Sequence, residues 1–452
     1  MVSKRDAAET SAGSSLDPSS KVEETEVGSY FIANYPPFSF WSDEHLSAVK
    51  EALGRSPHPD VPLGLYLHIP FCRKRCKFCY FRVYTERNAR DVEAYMSALA
   101  DEIALYSRYP AFSERQLRFV YFGGGTPSFL SPRQLVSFVE KLRGSVDWDG
   151  AEEVTFECEP GTLSQGKVHA LKEIGVTRLS LGVENFDDAI LRENGRAHES
   201  AEVYESYEWI RNVGFPNVNI DLIAGMVGET QENWDACIRK TIDLSPDSVT
   251  IYQMELPYNT VYSREIMVGG QPVPVASWEQ KRAWVGEAFS ELERAGYRVS
   301  SGYTVTKGGK PGRFSYRDSL WHGADMVGAG VSSFSFLGGV HFQNLDRVED
   351  YIATVEKGNL PLKRALPVGD TEQLIRELIL QMKMGSLDLQ YFREKFQRDV
   401  MKEFQPAFEN LKDQGYLDWQ GDRVVLSRNG LLRVDTLLPG FFLPEHRDAR
   451  YT

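Results

Sequence analysis

The most regular feature of the sequence is an alternation of short apolar runs with longer amphipathic stretches, which starts near residue 62. The short runs are typical of buried strands, and the longer stretches repeat their apolar residues with helical period. Six such units in succession predict an α/β fold with parallel strands covered by helices, closed or nearly closed as a barrel. A doubly wound open sheet would give the same order, and either fold binds ligands at the carboxyl ends of its strands. The predicted strands are residues 63–69, 119–122, 154–157, 178–182, 218–223 and 248–252, and the helices between them are 91–107, 132–142, 164–174, 200–213 and 231–244.

The chain divides into five predicted parts. Residues 1–27 are polar and are expected to form a disordered tail. Residues 28–61, the N-terminal clasp, carry aromatic residues around a proline pair, and we expect them either to pack against the main domain or to contact a substrate. The barrel spans 62–300, including a helix at 277–295, and an extension or connector follows at 301–369. The C-terminal module, 370–452, has predicted helices at 371–384, 388–396 and 401–414 and a hairpin at 417–426, which is typical of a winged helix.

Composition and charge narrow the classes of function. The 452 residues are 42% hydrophobic and 25% charged, as in a soluble protein of two or three domains. The net charge of -13 gives no broad electrostatic reason to bind nucleic acid. Only five cysteines occur, no apolar run is long enough to cross a bilayer, and the N-terminus lacks a secretory pattern. We therefore expect a cytoplasmic protein with no membrane span and no nucleic-acid partner.

Three of the cysteines follow the first predicted strand in a C-x3-C-x2-C pattern, Cys72, Cys76 and Cys79. This spacing supplies three thiolates to one small inorganic site. A cubane iron–sulfur cluster has four irons, so three cysteines leave one iron free of protein ligands and open to chemistry. Two other interpretations stay open: a zinc site with His68 as its fourth ligand, and a redox-active pair at Cys76 and Cys79.

Polar residues stand at the ends of the next predicted strands. The run Gly123-Gly124-Gly125-Thr126 lets the backbone approach a ligand closely, although glycine clusters also form simple turns. Glu157 could accept hydrogen bonds from a diol or bind a cationic amine, or it could be a solvent-exposed acid. Asp221 lies in an otherwise apolar strand and would be costly to bury unpaired, so we expect it to face a polar cavity or a hydrogen-bond donor.

These motifs together closely resemble one branch of the radical S-adenosylmethionine (SAM) enzymes, over roughly residues 60 to 440. That branch contains oxygen-independent coproporphyrinogen III oxidase, related heme chaperones, anaerobic heme-degrading enzymes and class C methyltransferases. The resemblance implies a partial (β/α)6 barrel with a C-terminal winged-helix-like module. It also implies a [4Fe-4S] cluster on Cys72, Cys76 and Cys79, and a SAM molecule that binds the free iron and is cleaved reductively to a 5'-deoxyadenosyl radical.

The resemblance assigns roles to residues by position. Tyr66 is expected beside the SAM sulfonium, Asp221 near the ribose, and Glu184 in both catalysis and cofactor binding. Two further groups are expected to bind SAM: Gly124, Gly125 and Thr126 at its amino end, and Glu157 and Arg196 at its polar groups. An ordinary surface arginine is the alternative for Arg196.

The resemblance leaves the substrate open. It implies a small organic molecule, such as a porphyrinogen that loses carbon dioxide, and a reducing partner such as flavodoxin or ferredoxin. The alternatives are a methyltransferase, which would use a second SAM, and a heme carrier. The oxidase has glutamine where this chain has Glu184 and a further cysteine where Phe81 stands. The heme motif of the chaperones is absent from residues 313–322. His322 and His341 are still heme-ligand candidates, and the alternative for each is a solvated or core histidine.

Overall fold

The computed structural model describes residues 32–257, 259–269, 275–308, 314–447 and 449. The predicted tail, the first residues of the N-terminal clasp and Arg313 of the heme-motif region lie outside these ranges. Among the described residues, no helix combines the length and the apolar character needed to cross a bilayer.

Fifteen strands and eighteen α-helices are formed by the described residues. The strands are β1 Leu63–Ile69, β2 Leu117–Gly124, β3 Glu153–Cys158, β4 Arg178–Glu184, β5 Asn217–Ala224, β6 Ser248–Gln253, β7 Tyr297–Val299, β8 Thr304–Lys307, β9 Asp325–Ala329, β10 Phe334–Leu337, β11 Val340–Asn344, β12 Leu362–Pro367, β13 Ser386–Asp388, β14 Leu417–Gln420 and β15 Arg423–Leu426. The helices are α1 Leu46–Gly54, α2 Ala89–Tyr106, α3 Pro110–Ser113, α4 Pro132–Arg143, α5 Gln165–Glu173, α6 Asp188–Glu193, α7 Ser200–Val213, α8 Gln231–Leu244, α9 Val261–Gly269, α10 Trp278–Arg294, α11 Ser315–Trp321, α12 Val348–Glu356, α13 Asp370–Met382, α14 Leu389–Phe396, α15 Val400–Glu403, α16 Gln405–Asp413, α17 Arg428–Leu432 and α18 Val434–Leu437.

The six predicted strands form β1 to β6, which pair in parallel and in chain order. This order has no reversal, so the doubly wound alternative is wrong. Strand β6 pairs next with β8, and β1 pairs with β9, so the described strands do not close into a ring. The predicted partial barrel is confirmed.

Strand β9 is a seventh parallel strand that the sequence did not reveal. It pairs with β1 from Leu63 to Leu67 and continues into the antiparallel strands β10, β11 and β12. Residues 297–344, in which the sequence indicated only turns and aromatic side chains, therefore extend the sheet at both edges.

Side chains along β1 to β6 alternate between two faces, as they must in a pleated strand. The outward residues, such as Leu65, Val120 and Phe156, are buried in one large apolar cluster with the covering helices. The inward residues hydrogen-bond or stack with one another across neighbouring strands, so the barrel encloses a polar lumen. These inward residues include Tyr66, His68, Tyr121, Glu153, Thr155, Glu157, Arg178, Ser180, Asn219, Asp221, Ser248 and Thr250.

Helix α11 closes the amino end of this lumen. The backbone N–H of Ser315, in its first turn, donates to Glu153 Oε2 at 3.0 Å. The ring of Tyr316 then lies 4.3 Å from that of Tyr121, centroid to centroid. The open end of the lumen is therefore the carboxyl end of the strands, where the predicted site residues stand.

The C-terminal module has its own apolar cluster, built from α13 to α18 and the three-stranded sheet β13-β15-β14. The helix predicted at 401–414 is wrong in one respect, because it is broken into α15 and α16 at Phe404. Pro406 occupies the first turn of α16, where its missing N–H costs nothing.

The N-terminal clasp joins this module to the sheet. Tyr35 is fully buried, and its hydroxyl accepts from the Leu443 N–H at 3.1 Å. Asp435 on α18 accepts from the backbone N–H of Ile32 at 3.0 Å, and Lys383 donates to the Ile32 carbonyl at 2.6 Å. Packing, one of the two expected roles of the clasp, is thus seen in the described residues.

Candidate functional site

The cysteine loop leaves the carboxyl end of β1 and is held by backbone and side-chain contacts. Cys72 donates its N–H to the Tyr84 carbonyl at 3.1 Å, and Cys79 donates to the Cys76 carbonyl at 3.2 Å. The hydroxyl of Thr126, from the glycine run after β2, donates to Cys72 Sγ at 3.4 Å. The loop therefore curls back over the strand end and keeps the three thiols on one short segment.

The surroundings of the thiols suit a bulky inorganic group. Burial raises the pKa of Cys72 to about 12 and that of Cys79 to about 11, so these thiols are protonated until a metal centre stabilises the thiolates. A Cβ atom on Gly125 would lie 3.0 Å from Cys72 Sγ and 2.9 Å from the Phe71 carbonyl oxygen. Gly125 is thus required for the close approach of the two loops. Within the described ranges, no three histidine, cysteine or acidic side chains are grouped so as to hold a single metal ion.

Tyr121 connects Tyr66 to Glu157. The rings of Tyr66 and Tyr121 stack with centroids 5.7 Å apart, and the Tyr121 hydroxyl donates to Glu157 Oε1 at 2.7 Å. The other carboxylate oxygen of Glu157 accepts from the Gly124 N–H at 3.1 Å. Gly124 adopts φ of 120°, which favours glycine, and this conformation turns its N–H towards the carboxylate.

Glu184 stands on an irregular part of β4. The register between β4 and β5 shifts between Gly182 and Glu184, and Glu184 adopts φ of 65°, in the left-handed region that few non-glycine residues occupy. Bulges and strained backbones of this kind redirect side chains at functional sites. Glu184 Oε1 lies 3.7 Å from Arg196 Nη1, with side-chain exposures of 13% and 11%.

Arg196 connects the carboxylates to the cysteine loop. Its Nη1 atom lies 3.4 Å from Cys76 Sγ, and its Nη2 atom donates to the Gly182 carbonyl at 2.8 Å. The alternative of an ordinary surface arginine is therefore wrong. The buried Nε atom has no hydrogen-bond partner among the described residues.

Asp221 has the donors that its burial requires. Ser180 donates to its Oδ2 at 2.7 Å and Asn219 donates to its Oδ1 at 2.9 Å. The same Asn219 accepts from Ser248 at 2.7 Å and from Thr250 at 3.1 Å, so the network links β4, β5 and β6. The expectation that Asp221 would find a donor is confirmed.

The three carboxyl groups give the open end of the lumen a distinctive electrostatic character. Burial raises the pKa of Glu157 and of Glu184 to about 7, and that of Asp221 to about 6, and repulsion by neighbouring carboxylates adds to the shift for Glu157 and Glu184. Such a cluster favours a cationic ligand, because a nearby positive charge stabilises every ionised carboxylate. A sulfonium or an ammonium group is a cation of this kind.

Two more residues near the site were not singled out from the sequence. Glu159 is 8% exposed and lies 3.7 Å from Arg73 and 3.8 Å from His198. These partners and Arg196 outweigh the effect of burial, so the pKa of Glu159 is lowered. Tyr252, at the end of β6, is 44% exposed, but burial of its hydroxyl raises its pKa and the charges of Asp221 and Glu157 add to the shift. The alternation of side chains along β6 was the available signal for Tyr252.

The remaining candidates lie away from the cysteine loop or in the apolar core. His341 is buried, donates from Nε2 to the Tyr35 carbonyl at 2.9 Å, and stacks on Trp41. His322 is exposed and donates from Nδ1 to the Asp318 carbonyl at 2.7 Å. Cys158 and Cys237 are buried.

Comparisons with known proteins agree with this geometry. Residues 66–240 match the family model described as the radical SAM superfamily. Heme chaperone HemW of Bacillus subtilis is 28% identical over 84% of this chain and 99% of the relative. Oxygen-independent coproporphyrinogen III oxidase of Pseudomonas aeruginosa is 28% identical over 89% of this chain and 90% of the relative.

The fold is also that of a solved structure. The coproporphyrinogen III oxidase of Escherichia coli superposes with a TM-score of 0.79 at 23% identity, and the match covers 91% of this chain and 96% of that one. The two cofactors of the superfamily are a [4Fe-4S] cluster and SAM, for which the three thiols and the carboxylate-lined lumen are suited. Residues 66–240 therefore match the radical SAM superfamily, and the chain is similar over most of its length to oxygen-independent coproporphyrinogen III oxidase and heme chaperone HemW.

Proposed function

We propose that the protein is an enzyme that cleaves SAM reductively and uses the resulting radical to abstract hydrogen from an organic substrate at the open end of the lumen. The observation that carries this proposal is the position of Arg196, which contacts Cys76 on the cysteine loop and faces Glu184 in the lumen. One side chain thereby connects a three-thiol loop to a cluster of carboxylates that favours a cationic ligand.

The thiols of Cys72, Cys76 and Cys79 would hold the cluster in this proposal, and the neighbouring polar groups would hold SAM. Once bound, the cluster and SAM supply the 5'-deoxyadenosyl radical through one-electron cleavage of a carbon–sulfur bond. The chain positions SAM and excludes water, which would otherwise solvate the charged groups of the site.

The geometry around each site residue supports its proposed contact with SAM. Glu157 and Asp221 offer carboxylates fixed by Tyr121 and Ser180, so little reorganisation is needed when a cation enters. Tyr66 presents an aromatic face beside this pair, and aromatic faces attract sulfonium-like cations. Backbone groups of Gly124 and Gly125, with the Thr126 hydroxyl, would meet the amino end of SAM.

The charged side chains after β4 complete the proposed SAM site. Arg196 offers its guanidinium to the SAM carboxylate, for which a planar fork is suited. Glu184 balances this charge and stands between the cofactor and the lumen, where we propose that it acts in catalysis. Its raised pKa of about 7 allows it to exchange a proton near neutral pH.

A porphyrinogen is the first substrate to test, because relatives named as coproporphyrinogen III oxidase match 76% to 90% of this chain. Transfer of a hydrogen atom from the carbon beside a propionate to the 5'-deoxyadenosyl radical, followed by loss of carbon dioxide and of one electron to an external one-electron acceptor, would form a vinyl group. Methyl transfer is the second candidate, because two departures from the oxidase pattern are consistent with a different ligand preference. These are the carboxylate of Glu184, where the oxidase has an amide, and the exposed ring of Phe81, where it has a thiol.

Heme carriage is the less favoured alternative, although a relative named as a heme chaperone matches 84% of the chain. His341 is buried against Trp41 and hydrogen-bonded to the Tyr35 carbonyl, so it is not free to ligate iron without unpacking the N-terminal clasp. His322 is exposed, but its Nδ1 atom already bonds the Asp318 carbonyl.

One experiment separates the candidates. Anaerobic protein with its cluster reconstituted is incubated with coproporphyrinogen III, isotopically labelled SAM and dithionite, and the products are identified by mass spectrometry. Loss of carbon dioxide from the substrate supports decarboxylation, whereas label in the product supports methyl transfer. Stoichiometric heme binding without 5'-deoxyadenosine would contradict the enzyme proposal. The Cys76→Ala variant is the control, and we expect it to form neither product.

A further inference from the structure

The cysteine loop carries a concentration of positive charge that the cluster and SAM do not explain. Five basic residues and no acidic residue stand between Ile69 and Thr85, in a chain whose net charge is -13. Four of the five are interleaved with the cysteines: Arg73, Lys74, Arg75 and Lys77.

Much of this charge is available to a partner. Arg73 and Lys74 are exposed. The side chains of Arg73 and Lys77 remain 35% and 33% exposed beside their carboxylate partners, Glu159 at 3.7 Å and Glu193 at 3.0 Å.

Of the four basic residues interleaved with the cysteines, Lys74 and Arg75 pair with no carboxylate within the described ranges. Arg75 donates to the carbonyls of Cys79 at 3.1 Å and Asn259 at 3.5 Å, which leaves its charge uncompensated. Lys74 extends from the middle of the loop into solvent. The loop therefore presents about two uncompensated positive charges on an acidic protein.

The position of these basic residues beside the cysteines suggests a function for their charge. The basic residues stand between Cys72, Cys76 and Cys79 in the sequence, so each lies within two residues of a cysteine. Cys76 and Cys79 are themselves only partly buried. An electron-carrying protein seated on this loop would bring its redox group as near to the sulfur atoms as any external partner can.

We propose that the exposed face of the cysteine loop, centred on Lys74, is the docking surface for a small acidic one-electron carrier protein. This inference rests on the proposed function, which requires one electron for each SAM cleaved. The carrier loses that electron and the cluster gains it. Charge complementarity steers such encounters and makes them depend on salt, and redox contacts of this kind are small.

The test uses the reconstituted enzyme with an acidic flavodoxin and an acidic [2Fe-2S] ferredoxin as probes. Three variants are compared. Lys74→Glu reverses the charge and Lys74→Arg keeps it. Lys50→Glu makes the same reversal at an exposed residue of α1, a helix that packs against β11 and β12. The first readout is the dissociation constant of each carrier at low and high ionic strength. The second is 5'-deoxyadenosine formation with each carrier and with dithionite, and iron and sulfide contents are measured for every variant.

We expect at least one carrier to bind, with an affinity that falls as salt is added. Lys74→Glu should weaken binding and slow the carrier-driven reaction about fivefold at low ionic strength, whereas Lys74→Arg and Lys50→Glu should leave both near the original values. The dithionite-driven rate should not change in any variant. Binding of flavodoxin alone would identify a flavin carrier, and binding of ferredoxin alone an iron–sulfur carrier.

Three outcomes would overturn the inference: neither carrier binds, Lys74→Glu and Lys50→Glu have equal effects, or Lys74→Glu slows the dithionite reaction as much as the carrier reaction. A different result would contradict the proposed function, namely that the original protein with a full cluster forms no 5'-deoxyadenosine with dithionite. The binding measurements would still show whether the cysteine loop is the docking surface.

Discussion

Arg196 Nη1 lies 3.4 Å from Cys76 Sγ, although the two residues are 120 positions apart in the sequence. The contact joins the connection between α6 and α7 to the loop after β1. It places a permanent positive charge beside a thiol that would carry negative charge in a metal centre, so the two charges would attract each other. The same guanidinium faces Glu184, so the charge is shared between the metal site and the lumen.

Arg196→Lys should weaken SAM binding while the cluster still assembles. Lysine keeps the charge but loses the planar fork that can contact Cys76, the Gly182 carbonyl and a carboxylate together. We expect the SAM dissociation constant to rise about tenfold to a hundredfold, measured by calorimetry on the reconstituted protein. Arg192→Lys, at an exposed ion pair on α6, is the matched control. Unchanged affinity in Arg196→Lys with a full cluster would show that Arg196 does not bind SAM.

Gly125→Ala should impair cluster assembly. The added Cβ would lie 2.9 Å from the Phe71 carbonyl and 3.0 Å from Cys72 Sγ, and backbone atoms cannot move aside cheaply. The cysteine loop must then shift, and iron and sulfide per chain should fall after reconstitution. Gly166→Ala is the control, because no atom lies within 4 Å of its added Cβ and alanine favours the helix α5 in which it stands. Equal cluster contents in the two variants would contradict this prediction.

SAM affinity should rise with pH between about 6 and 8. The raised pKa values of Glu157 and Glu184, about 7, and of Asp221, about 6, mean that these groups hold protons at slightly acidic pH. A cationic ligand favours their ionised forms, so binding releases protons and becomes tighter as the pH rises. The dissociation constant measured across this range should show the trend, and Glu157→Gln should flatten it. Glu93→Gln, an exposed residue of α2, should follow the original protein.

Asp435→Asn should destabilise the joint between the clasp and the C-terminal module. Lys383 is fully buried, and its Nζ atom lies 2.7 Å from Asp435 Oδ1. Removing the carboxylate charge from a buried ammonium costs about 2–4 kcal/mol of the free energy of unfolding, which urea titration would measure. Asp422→Asn, at a 63% exposed carboxylate, should cost less than about 1 kcal/mol. A similar loss in both variants would mean that the buried pair does not stabilise the joint.

The six strands and their covering helices could be predicted because each strand is a local apolar run, and each run is long enough to indicate burial. Strand β9 could not, since Gly328 interrupts its short apolar run. A Cβ at Gly328 would lie 2.1 Å from the Phe334 carbonyl oxygen, so this glycine is needed for the close approach of β10. The place of β9 in the sheet comes from its pairing with β1, in which partners such as Leu63 and Asp325 are 262 residues apart.

The candidate site was predictable in its residues but not in its contacts. The spacing of the cysteines and the polar strand ends identified Cys72 to Cys79, Glu157 and Asp221 directly. The left-handed backbone of Glu184 has no sequence signal, because glutamate rarely adopts φ of 65° and the conformation follows from the irregular pairing with β5. The link from Tyr121 to Glu157 likewise depends on the register of β2 against β3.

The most direct test of the central claim is the formation of 5'-deoxyadenosine by anaerobic, cluster-reconstituted protein given SAM and dithionite. The account predicts its release from the original protein and its absence in the Cys76→Ala variant, which would keep two of the three thiols. If the original protein with a full complement of iron and sulfide released none, or if Cys76→Ala released it at the original rate, the proposed role of the three cysteines would be contradicted.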